Sequence, residues 1–434
     1  MYRTVHPTAS RTCTGPAIPA RRRPRALTVP ALLLALLLGA AGCGGHDGAA
    51  TAPGAPGGDA KGGTSAAAPR PGVTVTPAAG RSVAPGTPVS VTATGGGTLD
   101  AVTVTPNGRS GDGVDPVEVT GTLAADRHTW TSDRTMTPGT SYTVTVTSSD
   151  AAGTKATTSS GFRTTAAAKV NGVTATPLNN AVVGVGLPVS LAFDKPVTDK
   201  AAVERALDVT TTPAVKGSWG WLTDPLTGIQ RVDWRPDTYW PSGTEVTLTA
   251  KLSGIDTGGG RYLRRDVHDT FSVGTARISY ADLSTHRMRV TENGRTVKDF
   301  KISGGSAAWP TWNGTMVVMT KQSTVRMTSS SVDIATSEDS ADFYDEDVHD
   351  AVRITTSGTF VHAAPWNDRY MGKQNKSHGC IGLSAADAAW FFAAATRGDL
   401  VIATGSTRAV VDKGNGYGEW NLTAAQWHAL SALA

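Results

Sequence analysis

Val and Thr alternate along much of the first two thirds of the chain. Segments such as VSVTAT (89–94), AVTVTP (101–106) and SYTVTVTSS (141–149) repeat with period two. That period marks strands with one buried face. The pattern also recurs at longer range. GVTVTP from Gly72 returns as GVTATP from Gly172, and Pro88-Val89-Ser90-Val91 returns as Pro188-Val189-Ser190-Leu191. Both offsets are 100 residues, the size of one small β-sandwich. The second copy adds a clear strand at TEVTLTAKL (244–252) and one helical turn at DKAAVERAL (199–207).

These signals predict two Ig-like sandwiches, over 70–166 and 167–274. Neither copy gathers a cluster of reactive side chains, so a spacer or wall-contacting role is expected for both. Trp219, Trp221, Trp234 and Trp240 leave two readings open, a carbohydrate platform or core and interdomain packing, with packing the more frequent use of such residues.

From Ala276 the pattern changes. ARISYADLSTHRMRVTENGRTVKDFKISGG reads as two strands around Glu292-Asn293-Gly294-Arg295. Asn-Gly suits a type I′ hairpin turn, which needs positive φ at both central residues. Further strands are predicted at GTMVVMT (314–320) and GTFVHAA (358–364). A helix follows, with Ser384 and Asp387 at its start, an apolar run over 388–395 and Gly398 at its end. Cys380 falls on the strand-to-helix connection just before it.

Composition and charge narrow the function classes. Gly and Pro number 49 and 24 among 434 residues, which disfavours a large helical enzyme. The formal charge of +4 comes from the first 43 residues, which hold six Arg and no acid. The remainder has no basic footprint, so no nucleic-acid partner is expected. RRRPR (21–25) followed by ALLLALLLGAAG (31–42) reads as a secretory signal, too short for a comfortable membrane span. Ala40-Ala41-Gly42-Cys43 resembles a bacterial lipobox, with Cys43 as the lipid attachment site and Ala40 where Leu is more common. A signal over 1–43, a Gly/Ala/Pro linker over 44–69 and a lipid-tethered, wall-facing location at the outer face of the cell membrane are therefore expected.

Three Cys are present, and only Cys380 lies beyond residue 43. A thiol needs a base and counter-charge to become a nucleophile. His362 lies 18 residues upstream and His378 two residues upstream. Gly379 permits a tight turn, and successive N–H groups at such a turn can stabilise an oxyanion. A zinc site would need further ligands at suitable spacing, and none is seen. His286, His349 and His268 are assigned no role.

Phe360-Val361-His362-Ala363-Ala364-Pro365-Trp366 followed by Ser377-His378-Gly379-Cys380 resembles the signature of L,D-transpeptidases with a YkuD-type catalytic domain. The layout over about 70–434 is similar to that of actinobacterial lipoprotein members. Those have two Ig-like domains, a catalytic domain (here 275–404) and a Trp-bearing C-terminal extension (here 405–434, with Trp420 and Trp427). The fold class expected is therefore mainly β, with one main helix in the catalytic domain.

The resemblance implies a cysteine acyltransferase acting on peptidoglycan stem peptides. Cys380 would attack the third-residue carbonyl of a donor tetrapeptide, release D-Ala and form a thioester. An amine of a neighbouring stem would resolve it as a 3→3 cross-link. His362 would act as base, its ring oriented by the carbonyl of Ala363. His378, Gly379 and Cys380 would supply oxyanion N–H groups. Ser377, Tyr344, Met327, Trp366 and position 382 would bind substrate, the Tyr and Met from a lid over 321–350. Carbapenems would acylate Cys380, and no metal or cofactor is implied. Seven acids within 338–350 are candidates for attracting the acceptor amine. Two departures stand out: Gly382, where relatives carry Asn or Arg, and Val332, where some carry Tyr. A carboxypeptidase that resolves the same thioester with water, and a non-catalytic wall-binding lipoprotein, are the alternatives.

Overall fold

The computed structural model describes residues 72–434 apart from Asp112 and Asp333. The signal segment, Cys43 and the linker lie outside the described residues.

Residues 72–164 form two four-stranded sheets. One runs Gly72–Thr76, Ser90–Thr94, Thr129–Ser132, Gly121–Leu123; the other runs Ser82–Val83, Lys155–Thr164, Ser141–Ser149, Thr98–Pro106. Residues 173–273 repeat this topology strand for strand. One sheet runs Val173–Thr176, Val189–Phe193, Gln230–Pro236, Gly217–Thr223, and the other Val182–Val183, Val267–Val273, Glu245–Ala250, Leu207–Thr212. The 100-residue repeat is thus one of architecture as well as sequence. The predicted helical turn is Lys200–Glu204, with Asp199 accepting the Ala202 N–H at its start.

All four tryptophans of the second sandwich are buried. Trp234 stacks on Trp240 with ring centroids 5.2 Å apart, and Trp221 donates its indole N–H to Glu204. They pack the core, which leaves no exposed carbohydrate platform.

The third region has two sheets around one core. A five-stranded sheet runs Arg295–Lys301, Arg287–Glu292, Arg277–Asp282, Leu400–Thr404, Gly314–Val317. A four-stranded sheet runs Thr320–Thr328, Asp345–Arg353, Phe360–Ala363, Ile381–Leu383. Asn293 and Gly294 have φ of 46° and 79°, as the hairpin reading requires. The helix Ala385–Ala394 starts as expected, with Ser384 Oγ accepting the Asp387 N–H, but stops before Gly398. Thr396–Gly398 make the following turn instead, held by the Thr396 N–H bond to Asp399.

That turn docks on the second sandwich. Gly184 N–H donates to Arg397 O and Gly186 N–H to Gly398 O, each at 2.8 Å. A Cβ on Gly184 would overlap the main chain of Gly398 and Asp399, so only glycine permits this approach. The C-terminal extension returns to the same sandwich. Trp420 donates to Gly186 O, and Trp427, fully buried, donates to Ser218 O. Arg235 lies against both indoles, 4.7 Å and 5.0 Å from the ring centroids.

Candidate active site

Parallel pairing of Phe360–Ala363 with Ile381–Leu383 sets His362 opposite Gly382 in register. Cys380 immediately precedes the second strand, so the two reactive side chains come from neighbouring strand ends. Both line a cavity of about 690 Å³.

His362 is buried, and its Nδ1 lies 2.8 Å from Ala363 O. A carbonyl only accepts, so Nδ1 carries the proton and Nε2 keeps its lone pair. Burial pushes the imidazole below its ordinary value, which keeps the ring neutral near pH 7. Trp366 stacks beside it at 6.2 Å between ring centroids. Ala363 thus meets the ring through its main-chain carbonyl.

Cys380 Sγ accepts the Phe360 N–H at 3.4 Å and lies 3.7 Å from Gly358 O. Burial pushes the thiol up to about 11, while the Phe360 N–H and the Arg353 charge act the other way. The resting pair is therefore neutral thiol and neutral imidazole. No thiolate stands preformed.

Gly379 has φ of 117°, a conformation that suits glycine. Its N–H donates to Ser377 Oγ at 3.2 Å, and Ser377 Oγ in turn donates to Cys380 O at 2.6 Å. Gly379 N–H and the Ser377 hydroxyl are thus both engaged within the turn. The N–H groups of His378 and Cys380 flank Gly379 in the same turn. The His378 side chain meets Asp342 at 3.3 Å and Tyr344 at 5.0 Å between ring centroids.

The lid is a hairpin of Thr320–Thr328 with Asp345–Arg353, and Met327 and Tyr344 line the cavity. Burial and the nearby Cys380 and Glu346 push the Tyr344 phenol up to about 12, so it stays neutral. Three of the seven acids are engaged: Asp342 faces His378, and Asp345 and Asp347 lie 2.6 Å and 3.7 Å from Arg326. Glu346 faces the cavity. Val332 packs near Gly358.

Gly382 lies away from the cleft. A Cβ there would meet the Ala364 Cβ at 2.9 Å, with Met371 behind it. A side chain at this position would point toward Ala364, Ser303 and Met371. His286, assigned no role from sequence, faces Asn375 at 3.1 Å, and His349 faces Thr324 at the same distance. Among the described residues no cluster of His, Cys, Asp or Glu has metal-binding geometry.

Several cavity residues carried no sequence signal. Leu226 reaches the rim from a turn of the second sandwich. Arg408 lies with its guanidinium carbon 3.5 Å from the Trp312 centroid. Arg353 lines the same cavity and bonds Thr355 O and Thr356 O in the turn that follows its strand. Each is brought in by tertiary packing between segments far apart in the chain.

The bacterial Ig domain model matches residues 80–256, and the L,D-transpeptidase catalytic domain model, YkuD, matches 276–402. L,D-transpeptidase 2 of Mycobacterium tuberculosis is 35% identical over 348 residues, covering 80% of this chain and 81% of its own. The chain belongs to the L,D-transpeptidase family. L,D-transpeptidase 1 of the same species is 37% identical over 229 residues, covering 53% of this chain and 83% of its own. The solved structure of the L,D-transpeptidase LdtMt1 in complex with imipenem is 35% identical; the match covers 54% of this chain and all of that one, with a TM-score of 0.47. The family model ends at 402, so the Trp-bearing return to the second sandwich lies beyond it.

Proposed function

We propose that this L,D-transpeptidase uses Cys380 as the nucleophile for peptidoglycan stem peptides, with His362 as its base. The observation that carries the reading is the 2.8 Å contact between His362 Nδ1 and the Ala363 carbonyl. The Ala363 carbonyl holds the proton on Nδ1 and leaves Nε2 to take the proton of a thiol presented from the neighbouring strand end. As the S–H proton moves to Nε2, Sγ attacks the third-residue carbonyl of a donor tetrapeptide. The tetrahedral oxyanion is met by the N–H groups of His378 and Cys380. Protonated His362 returns its proton to the departing D-Ala amine, leaving a thioester on Cys380. The acceptor amine, drawn by Glu346, then attacks the thioester carbonyl as His362 takes its proton. The C–S bond breaks, Cys380 leaves as thiolate and recovers the proton from His362, and the 3→3 cross-link is released.

Tyr344, Met327 and Trp366 wall the donor subsite, and Lys376 and Arg408 on the same cavity receive stem carboxylates. The basic run, apolar run and Ala-Ala-Gly-Cys of the N-terminal segment support lipid attachment at Cys43, with the folded part tethered outside the membrane. Purified protein supplied with a tetrapeptide stem distinguishes the outcomes. Cross-linked dimer is expected; tripeptide alone identifies the carboxypeptidase, and unchanged tetrapeptide contradicts both.

A further inference from the structure

We infer that Arg353 is a positioning residue for the nucleophile: its fixed charge steadies the Cys380 thiolate, and its hydrogen bonds hold the turn that seats the sulfur. The inference rests on Cys380 being the nucleophile, as proposed above. In antiparallel register Arg353 pairs with Phe360, whose N–H donates to Sγ. Its guanidinium carbon lies 4.5 Å from the Phe360 ring centroid. Nη1 donates to Thr355 O at 3.3 Å and Thr356 O at 3.0 Å, and the turn they open ends at Gly358, whose carbonyl touches Sγ. One side chain therefore grips both ends of the segment that cradles the sulfur.

The charges facing the thiol from other elements do not replace it. His362 is neutral at rest, and His378 is engaged with Asp342. From the lid come Tyr344, Glu346 and Arg326, the last bonded to Asp345. Lys376 lies against Tyr370, and Arg408 lies against Trp312. Arg353, half-buried, lines the cavity and has no carboxylate partner among the described residues. A cation so placed favours thiolate over thiol. When the S–H bond breaks, the proton goes to His362 Nε2 and the electron pair stays on Sγ, in the field of the guanidinium. Its effect on the thiol and the thiolate's effect on it are reciprocal.

The test is the pH dependence of iodoacetamide alkylation at Cys380, read by peptide mass spectrometry on the full chain, for wild type, Arg353→Gln and Arg353→Lys. Gln keeps a donor for the turn but removes the charge; Lys keeps the charge. The expected result is an alkylation midpoint about one pH unit higher for Arg353→Gln, with Lys close to wild type. Coincident midpoints overturn the inference, as does an equal shift in both variants, which would assign the effect to the turn alone. Loss of fold in Arg353→Gln overturns it in favour of a purely structural residue. Wild-type Cys380 that alkylates but never forms a stem-peptide thioester would defeat the proposed function while leaving the alkylation comparison intact.

Discussion

At the residue scale, the chemistry depends on which nitrogen of His362 carries the proton. The Ala363 carbonyl sets that choice through the main chain, so Ala363→Ser is expected to retain activity while His362→Ala is not. Loss of a positioned base lowers such rates by about 10²–10⁴. Acylation rates for folded His362→Ala check the magnitude; a loss under tenfold would remove His362 from the role. The sign of the pH profile follows from burial. His362 must be neutral to act, and burial depresses its value, so the acid limb falls below the ordinary histidine range. HAAPW and SHGC made Cys380, His362 and Ala363 legible because all three sit inside contiguous motifs. Leu226, Arg353 and Arg408 were not legible, since their place depends on how distant turns pack.

At the element scale, the parallel pairing of Phe360–Ala363 and Ile381–Leu383 determines what position 382 can do. Sequence comparison made Gly382 a missing substrate contact. In the structure a Cβ at this position would meet Ala364, Ser303 and Met371. Gly382→Asn is therefore expected to destabilise the protein by about 1–3 kcal/mol, the range for overpacked cores, without improving donor affinity. Thermal unfolding and donor KM check it together. A tighter donor KM at unchanged stability would restore the original reading. Strands were easy to read here because period-two alternation survives burial of one face. The helix end was harder: Gly398 marked a turn on the docking surface with the second sandwich, not the stop of the helix.

At the scale of the whole molecule, the second Ig-like sandwich is joined to the catalytic region by backbone contacts and by the returning extension. Where they meet, Arg231, Asp233 and Glu419 are buried together. Burial and the Asp233 carboxylate push Glu419 up to about 8. A carboxyl raised on folding stabilises least at high pH. Its favourable contribution is full below about pH 4.5 and is lost as pH rises toward 8. Glu419→Gln, neutral at every pH, is thus expected to gain thermal stability over wild type at pH 8 relative to pH 5. A pH-independent difference would show that Glu419 is ionised throughout. The repeat announced two sandwiches in the sequence, but the docking of the second onto the catalytic region rests on Gly184 and the Trp420 and Trp427 side chains. Composition says nothing of which surfaces those residues meet.

The most direct test of the account is intact-protein mass spectrometry after exposure to a carbapenem, for wild type beside Cys380→Ala. The account expects one stoichiometric adduct on wild type and none on Cys380→Ala. A folded wild type that stays unmodified, or an adduct that survives the Cys380→Ala substitution, would contradict Cys380 as the acyl-accepting nucleophile.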